Sequence, residues 1–214
     1  MNEAVSAATD AAIKEAVIEA PGAASANTVP ASSTTISFYG QYCFHLSPTL
    51  NRWCPMRIAE VLKLVQYADF AGQNVYFHLN HPIKWVRIAG VVVACADYSG
   101  RRIYTVDDGS GATIECSVPA PDRQQHHLAP VPVVNNPGIV VDVKGELRIF
   151  RDTLQIQVVK LTVLRGTQQE LRFWAKLQEF AASTLHRPWV LDRQTVRKYR
   201  KAAMELQQSN YKSR

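Results

Sequence analysis

The sequence predicts a mostly β protein, a small closed barrel of five strands with flanking helices. Two observations carry that expectation and a third suggests a task. Five strand-like runs follow one another between residues 85 and 164: Trp85–Ala96, Arg102–Asp107, Ala112–Val118, Ile139–Phe150 and Leu154–Leu164. Most alternate apolar and polar residues, the period of half-buried strands. The runs are separated by turn residues, and Gly90 lies inside the first, where glycine marks a bulge or the bend that closes a small barrel. In the fourth run Ile139, Val141, Val143 and Leu147 are expected inward, and Asp142, Lys144, Glu146, Arg148 and Phe150 outward. A solvent face with two cations and an aromatic suits a single nucleic-acid strand, which needs charge for phosphates and a flat surface for a base.

Residues 1–35 are rich in Ala, Ser and Thr and contain no aromatic residue, so a disordered N-terminal tail is expected. Residues 36–84 are crowded with aromatics and read as an ordered, helical lead-in packed on the barrel. Pro55 fits the first turn of a helix to about Tyr67, with Ile58, Val61, Leu62 and Val65 on one face. His78-x-x-His81 has no third ligand at suitable spacing, and a pair of turn histidines is the favoured reading. Asp107-Asp108-Gly109-Ser110-Gly111 is a turn, and residues 119–138, with five prolines, form a long connection between the third and fourth strands. Five strands with an insertion there match the OB-fold, a Greek-key barrel used for oligonucleotides. Residues 85–187 are therefore assigned to an OB-fold domain that includes a C-terminal amphipathic helix.

That helix starts at Thr167, where Thr167 and Glu170 have capping-box spacing. Leu171, Phe173, Trp174, Leu177, Phe180, Ala181 and Leu185 fill about half of its circumference at ~100° per residue. So broad an arc predicts one flank on the barrel and the other on a second protein, with packing on residues 36–84 as the alternative. Residues 188–214 form a basic C-terminal extension. The first 164 residues hold 13 Lys/Arg against 14 Asp/Glu, and the last 50 hold 11 against 4, so the net charge of +6 sits after the barrel. Such a basic end is an electrostatic footprint for nucleic acid or an acidic partner, or simply a solvated face.

No apolar run approaches the ~20 residues of a membrane span. Cys43, Cys54, Cys95 and Cys116 form no C-x-x-C pair, which points to a reducing intracellular compartment without zinc or a disulfide framework. No phosphate-cradling glycine loop, G-x-S-x-G elbow or metal-spaced carboxylate cluster is present, so neither catalysis nor a cofactor is expected.

The run His81-Pro82-Ile83-Lys84-Trp85-Val86-Arg87-Ile88-Ala89-Gly90, with Tyr104-Thr105-Val106-Asp107-Asp108-Gly109-Ser110-Gly111, resembles the N-terminal OB domain of the STN subunit of the CST telomere-capping complex. Tyr39-Gly40-Gln41-Tyr42-Cys43-Phe44-His45-Leu46-Ser47-Pro48-Thr49-Leu50 is similar to the fungal members in particular. The resemblance covers about residues 38–187. It implies a nuclear, telomeric protein that binds single-stranded telomeric DNA through the barrel and forms a heterodimer with a small TEN-family OB protein. It also implies a larger DNA-binding CST subunit as partner and recruitment of DNA polymerase alpha–primase.

By the resemblance, Arg148 and Phe150 match DNA-touching positions of the family's fourth strand, and Lys144 is assigned to phosphate beside them. Leu171, Phe173, Trp174, Leu177, Phe180 and Ala181 fall on the helix that supplies much of the TEN contact. Animal members carry a base-stacking tryptophan just after the third strand. This chain has Val118-Pro119-Ala120 there, and that platform is missing. The double-aspartate turn also occurs in the middle subunit of replication protein A, so a genome-wide single-strand binder of that type is the alternative function.

Overall fold

A computed structural model describes residues 36–70, 72–98, 100–119 and 137–212. The expected tail at 1–35 and most of the 119–138 connection lie outside the described residues. In chain order a 3₁₀ turn, Gln41–Leu46, precedes β1 (Cys54–Pro55), α1 (Ile58–Val61), β2 (Tyr76–His78) and β3 (His81–Ile83). The barrel strands are β4 (Trp85–Tyr98), β5 (Arg101–Asp107), β6 (Thr113–Pro119), β7 (Val140–Phe150) and β8 (Thr153–Val163). After them come α2 (Thr167–Phe180), one π turn at Ala181–Leu185 and α3 (Arg193–Lys212).

The strand order β4-β5-β6-β8-β7 closes on itself through β4–β7 pairing, with β6–β8 parallel and the other barrel pairs antiparallel. This is the OB-fold barrel. The 14 residues of β4 serve two neighbours, Trp85–Val91 pairing with β7 and Val91–Tyr98 with β5. A register shift between Val92 and Ala94 bends the strand between these duties. Gly90 is needed for a different reason than the expected bulge. A Cβ there would strike the Asp107 carbonyl, just as one at Gly145 would strike the carbonyl of Gln157. Both glycines let neighbouring backbones approach closely.

Alternation on β7 holds for Val141, Val143 and Leu147, all fully buried. They join Val86, Ile88, Val92, Tyr104, Val106, Ile114, Cys116 and Ile156 in one core. Each such aliphatic contributes roughly 1.5–3 kcal/mol by leaving water. Tyr104 is part of this core and not of the exterior.

The lead-in differs from its sequence expectation. The helix expected from Pro55 to Tyr67 is a single turn, and Pro55 instead sits in β1, parallel to β4 and opposite Arg87. The barrel's own turn fixes that start. Asp108 Oδ2 accepts from the Ile58 N–H at 2.9 Å, and Ser110 Oγ from the Ala59 N–H at 3.0 Å. Beyond Val61 the chain turns away to bridge Val65 with Phe77, leaving Leu62 and Val65 exposed. Tertiary hydrogen bonds thus override the helical period. Phe44, Phe70, Val75 and Phe77 make a separate aromatic cluster under the lead-in.

Asn80 ties the C-terminal extension to this lead-in. Its Oδ1 accepts from the Trp189 N–H at 2.8 Å, and its Nδ2 donates to the Trp189 carbonyl at 2.7 Å and the Ser37 carbonyl at 2.8 Å. Trp189 and Val196 then pack on Cys43, with Tyr39 edge-on to Trp189 at 4.8 Å. His81 reinforces the junction, a ring nitrogen lying 2.7 Å from the Arg187 carbonyl. The expected Thr167–Glu170 capping box does not form. Gly166 occupies the cap, and Gln169 Oε1 instead accepts from the Arg165 N–H at 3.0 Å.

Candidate nucleic-acid and partner surfaces

The outer face of β7 divides into a paired half and an open half. Arg87 forks onto Asp142, with Nε at 2.9 Å and Nη2 at 2.6 Å from its oxygens. Glu146, expected in solvent, is only 9% exposed. The lead-in covers it, and it accepts from Asn74 Nδ2 at 2.8 Å and Arg148 Nη2 at 2.9 Å, with Lys84 Nζ at 3.4 Å. Burial alone would raise this carboxyl's pKa. The hydrogen bonds from Asn74 and Arg148 and the charges of Arg148 and Lys84 outweigh it, so the pKa is lowered. Arg148 is thus held by an ion pair, the plain alternative to a phosphate contact. Its side chain is still 52% exposed and can share its remaining donors.

Lys144 is half-buried mid-strand. Phe150 ends the strip at 45% exposure, and the guanidinium of Arg151 lies over its ring, 5.3 Å from the centroid. Arg151 and Asp152 turn the β7–β8 hairpin with positive φ (47° and 61°), the conformation of a tight two-residue hairpin turn. A second aromatic group, two half-buried tryptophans with Lys84 Nζ 5.4 Å from the Trp85 ring centroid, was not legible in the sequence. Trp85 stands directly opposite Glu146 on the neighbouring strand, and Trp53 meets it edge-on at 5.2 Å. Trp53 arrives from a turn far back in the chain, so no strand pattern could pair the two.

The proposed partner helix is used mostly at home. Phe173 and Leu177 pack on Ala89 and Leu164, Phe180 enters the barrel core, and Ala181 is buried. These four residues, expected at a partner interface, are occupied by their own domain. The arc is broad because the helix runs along the barrel and then continues through the π turn, which carries Leu185 into the same core. What remains for a partner is one flank. Leu171 is 62% exposed, and Trp174 is partly buried, edge-on to Phe173 at 5.0 Å and beneath the Arg57 guanidinium at 4.2 Å.

Beside that flank lies a cleft of about 530 Å³, lined among others by Val91, Val93, Val140, Trp174, Asp107 and Glu170. Val91 and Val93 are exposed outward from the middle of β4. The run Val91-Val92-Val93 has no alternation to betray which members face out. Asp107 Oδ1 accepts from the Gly109 N–H at 2.7 Å, so it orders the turn as well as rimming the cleft. Among the described residues no group of three metal-ligating side chains occurs, and none of the four cysteines is joined in a disulfide.

A Greek-key barrel with a cation-and-aromatic outer strip and a helix laid along its side defines an OB-fold protein. The family described as telomere regulation protein Stn1 matches residues 26–213, and the chain belongs to it. Protein stn1 of Schizosaccharomyces pombe is 29% identical over 136 residues, which are 64% of this chain and 41% of that protein. CST complex subunit STN1 of Ailuropoda melanoleuca is 26% identical over 125 residues, covering 56% and 32% of the two chains. The chain therefore spans well under half the length of these relatives. The crystal structure of the S. pombe Stn1–ten1 complex superimposes with a TM-score of 0.52 at 27% identity, covering 62% of this chain and 93% of that one. That of yeast Stn1 and Ten1 does so at 0.65 and 20% identity, covering 78% and 91%, a likeness of fold.

Proposed function

We propose that this chain is a non-catalytic subunit of a CST-type complex that caps chromosome ends in the nucleus, binds single-stranded telomeric DNA and pairs with a small TEN-type OB protein. The observation that carries the reading is the apolar lining made by Trp174, Val91 and Val93 in a cleft rimmed by Asp107 and Glu170, with the exposed Leu171 on the neighbouring turn of α2. Exposed apolar side chains of this kind, next to carboxylates, fit a partner offering aliphatic side chains and a cation. The relatives named for Stn1–Ten1 complexes supply the class of that partner.

Single-stranded DNA is assigned to the other surface. Phe150 offers a face for a base, Arg148, Arg151 and Lys144 offer charge for phosphates, and Trp85 with Trp53 offers further stacking area. The larger CST subunit and DNA polymerase alpha–primase follow as partners of the assembled complex. Co-expression with the organism's small OB protein tests the pairing. Leu171→Glu, at a site already open to solvent, is expected to abolish co-purification and leave the melting temperature unchanged. Undiminished co-purification overturns the interface. Recovery of two replication protein A subunits from nuclear extract instead would return the chain to the genome-wide alternative.

A further inference from the structure

Three cations stand in one row across the barrel's outer face. Lys144 on β7 is directly opposite Arg87 on β4 and directly opposite Lys160 on β8. Antiparallel partners project from the same side of a sheet, so the three charges share one surface. Lys176 on the neighbouring α2 adds a further positive charge whose field reaches the Lys144 ammonium. The nearest acid, Asp142, is already engaged by both prongs of the Arg87 fork. Like charges placed opposite one another destabilise a sheet. Burial, then Arg87, and more weakly Lys160 and Lys176, favour loss of the Lys144 proton; Asp142 opposes them without reversing the balance, and the pKa is lowered. Such an arrangement is costly until an anion enters it.

We propose that Lys144, Lys160 and Lys176 form an anion site for one backbone phosphate of a bound single strand. Lys160 and Lys176 have no other assigned role, and both are exposed. The site lies on the flank of α2 away from Leu171 and Trp174, so strand and protein partner take opposite sides of that helix. It also sets a direction, since Lys144 is six residues from Phe150 on the same face of β7, on the order of 20 Å at the rise of a strand. A strand stacked at Phe150 runs along β7 toward α2.

This inference rests on the barrel's binding single strands. Its test uses the full chain, the variants Lys160→Gln and Lys176→Gln, Phe150→Ala as reference, and a labelled single-stranded 20-mer. Each lost phosphate contact flattens the salt dependence by about 0.7 in log–log slope, equivalent to about fivefold weaker binding at ~0.1 M salt. That is the largest loss expected of either lysine variant, since the three lysines share one phosphate. In the unliganded protein Lys160→Gln is expected to raise the melting temperature, on the order of 1–3 °C, by relieving the cross-strand repulsion.

Replacing a lysine kept only for structure would lower the melting temperature and leave the salt dependence of binding unchanged. If Phe150→Ala weakens the 20-mer and neither lysine variant does, the site is overturned and the DNA reading stands. If the unaltered chain fails to bind the 20-mer, both fall. If inorganic phosphate raises the melting temperature of the unaltered chain and not of Lys160→Gln, while 20-mer affinity is unchanged between them, the cluster serves a free anion and the inference fails.

Discussion

Replacing Phe150 with alanine separates binding from folding. The ring is 45% exposed, so it forfeits about half of a phenylalanine's burial, a stability loss of about 1 kcal/mol. In a domain of this size that lowers the melting temperature by roughly 2–4 °C. The same ring, with Arg151 lying over it at 5.3 Å, is assigned to one base. Loss of one base stack costs roughly 1–3 kcal/mol, or about 5- to 150-fold in affinity. Fluorescence anisotropy with a labelled single-stranded 20-mer at fixed salt measures that loss. Because the ring carries no charge, the slope of affinity against salt is expected to stay as it is, whereas Arg148→Gln is expected to flatten it by about 0.7. Affinity within twofold of the parent, in a variant whose melt is shifted only as stated, would refute the stacking assignment.

Three further outcomes follow from buried groups. Asn80→Ala leaves the Trp189 N–H and carbonyl without their partner; a loss of about 2–4 kcal/mol in urea unfolding and faster proteolysis between Arg187 and Arg193 are expected, and an unchanged cleavage rate contradicts the clamp. His81 is buried and its pKa is pushed below the ordinary 6.5, chiefly by desolvation. The unfolded chain then binds the proton more readily, so stability is intact above pH 6.5 and falls as pH drops below it, and His81→Gln should flatten that fall in urea titrations. Burial raises the Cys54 thiol to about 12 and pushes up those of Cys43 and Cys116; in the native protein a thiolate-directed reagent should reach Cys95 first, and prompt labelling of Cys54 would contradict this packing.

The barrel was legible because its signals are local. Alternation in β7, the Asp-Asp-Gly turn and the proline-rich insertion each report on a few adjacent residues, and closure follows from their order. The lead-in was misread because its geometry is imposed from elsewhere. Asp108 and Ser110 of the barrel cap a single turn at Ile58, and no feature within residues 55–67 announces that. The breadth of the α2 arc was real, yet its cause was a helix that runs along the barrel, reaches the home core at Phe180 and continues through a π turn that adds Leu185. Glu146 had outward parity and was covered by Asn74 from another segment. The surfaces that matter most here, the Val91–Val93 cleft and the Arg87–Lys144–Lys160 row, depend on strand register, which becomes explicit only once the barrel is closed.

Hydroxyl-radical footprinting of the full chain, alone, with its small OB partner and with a single-stranded 20-mer, tests the separation of the two surfaces most directly. The partner is expected to protect Leu171, Trp174 and Val91 and leave Phe150 reactive. The oligonucleotide is expected to protect Phe150 and Trp85 and leave Leu171 reactive. Protection of Leu171 by the oligonucleotide, or of Phe150 by the partner, would contradict the assignment of strand and partner to different sides of this barrel.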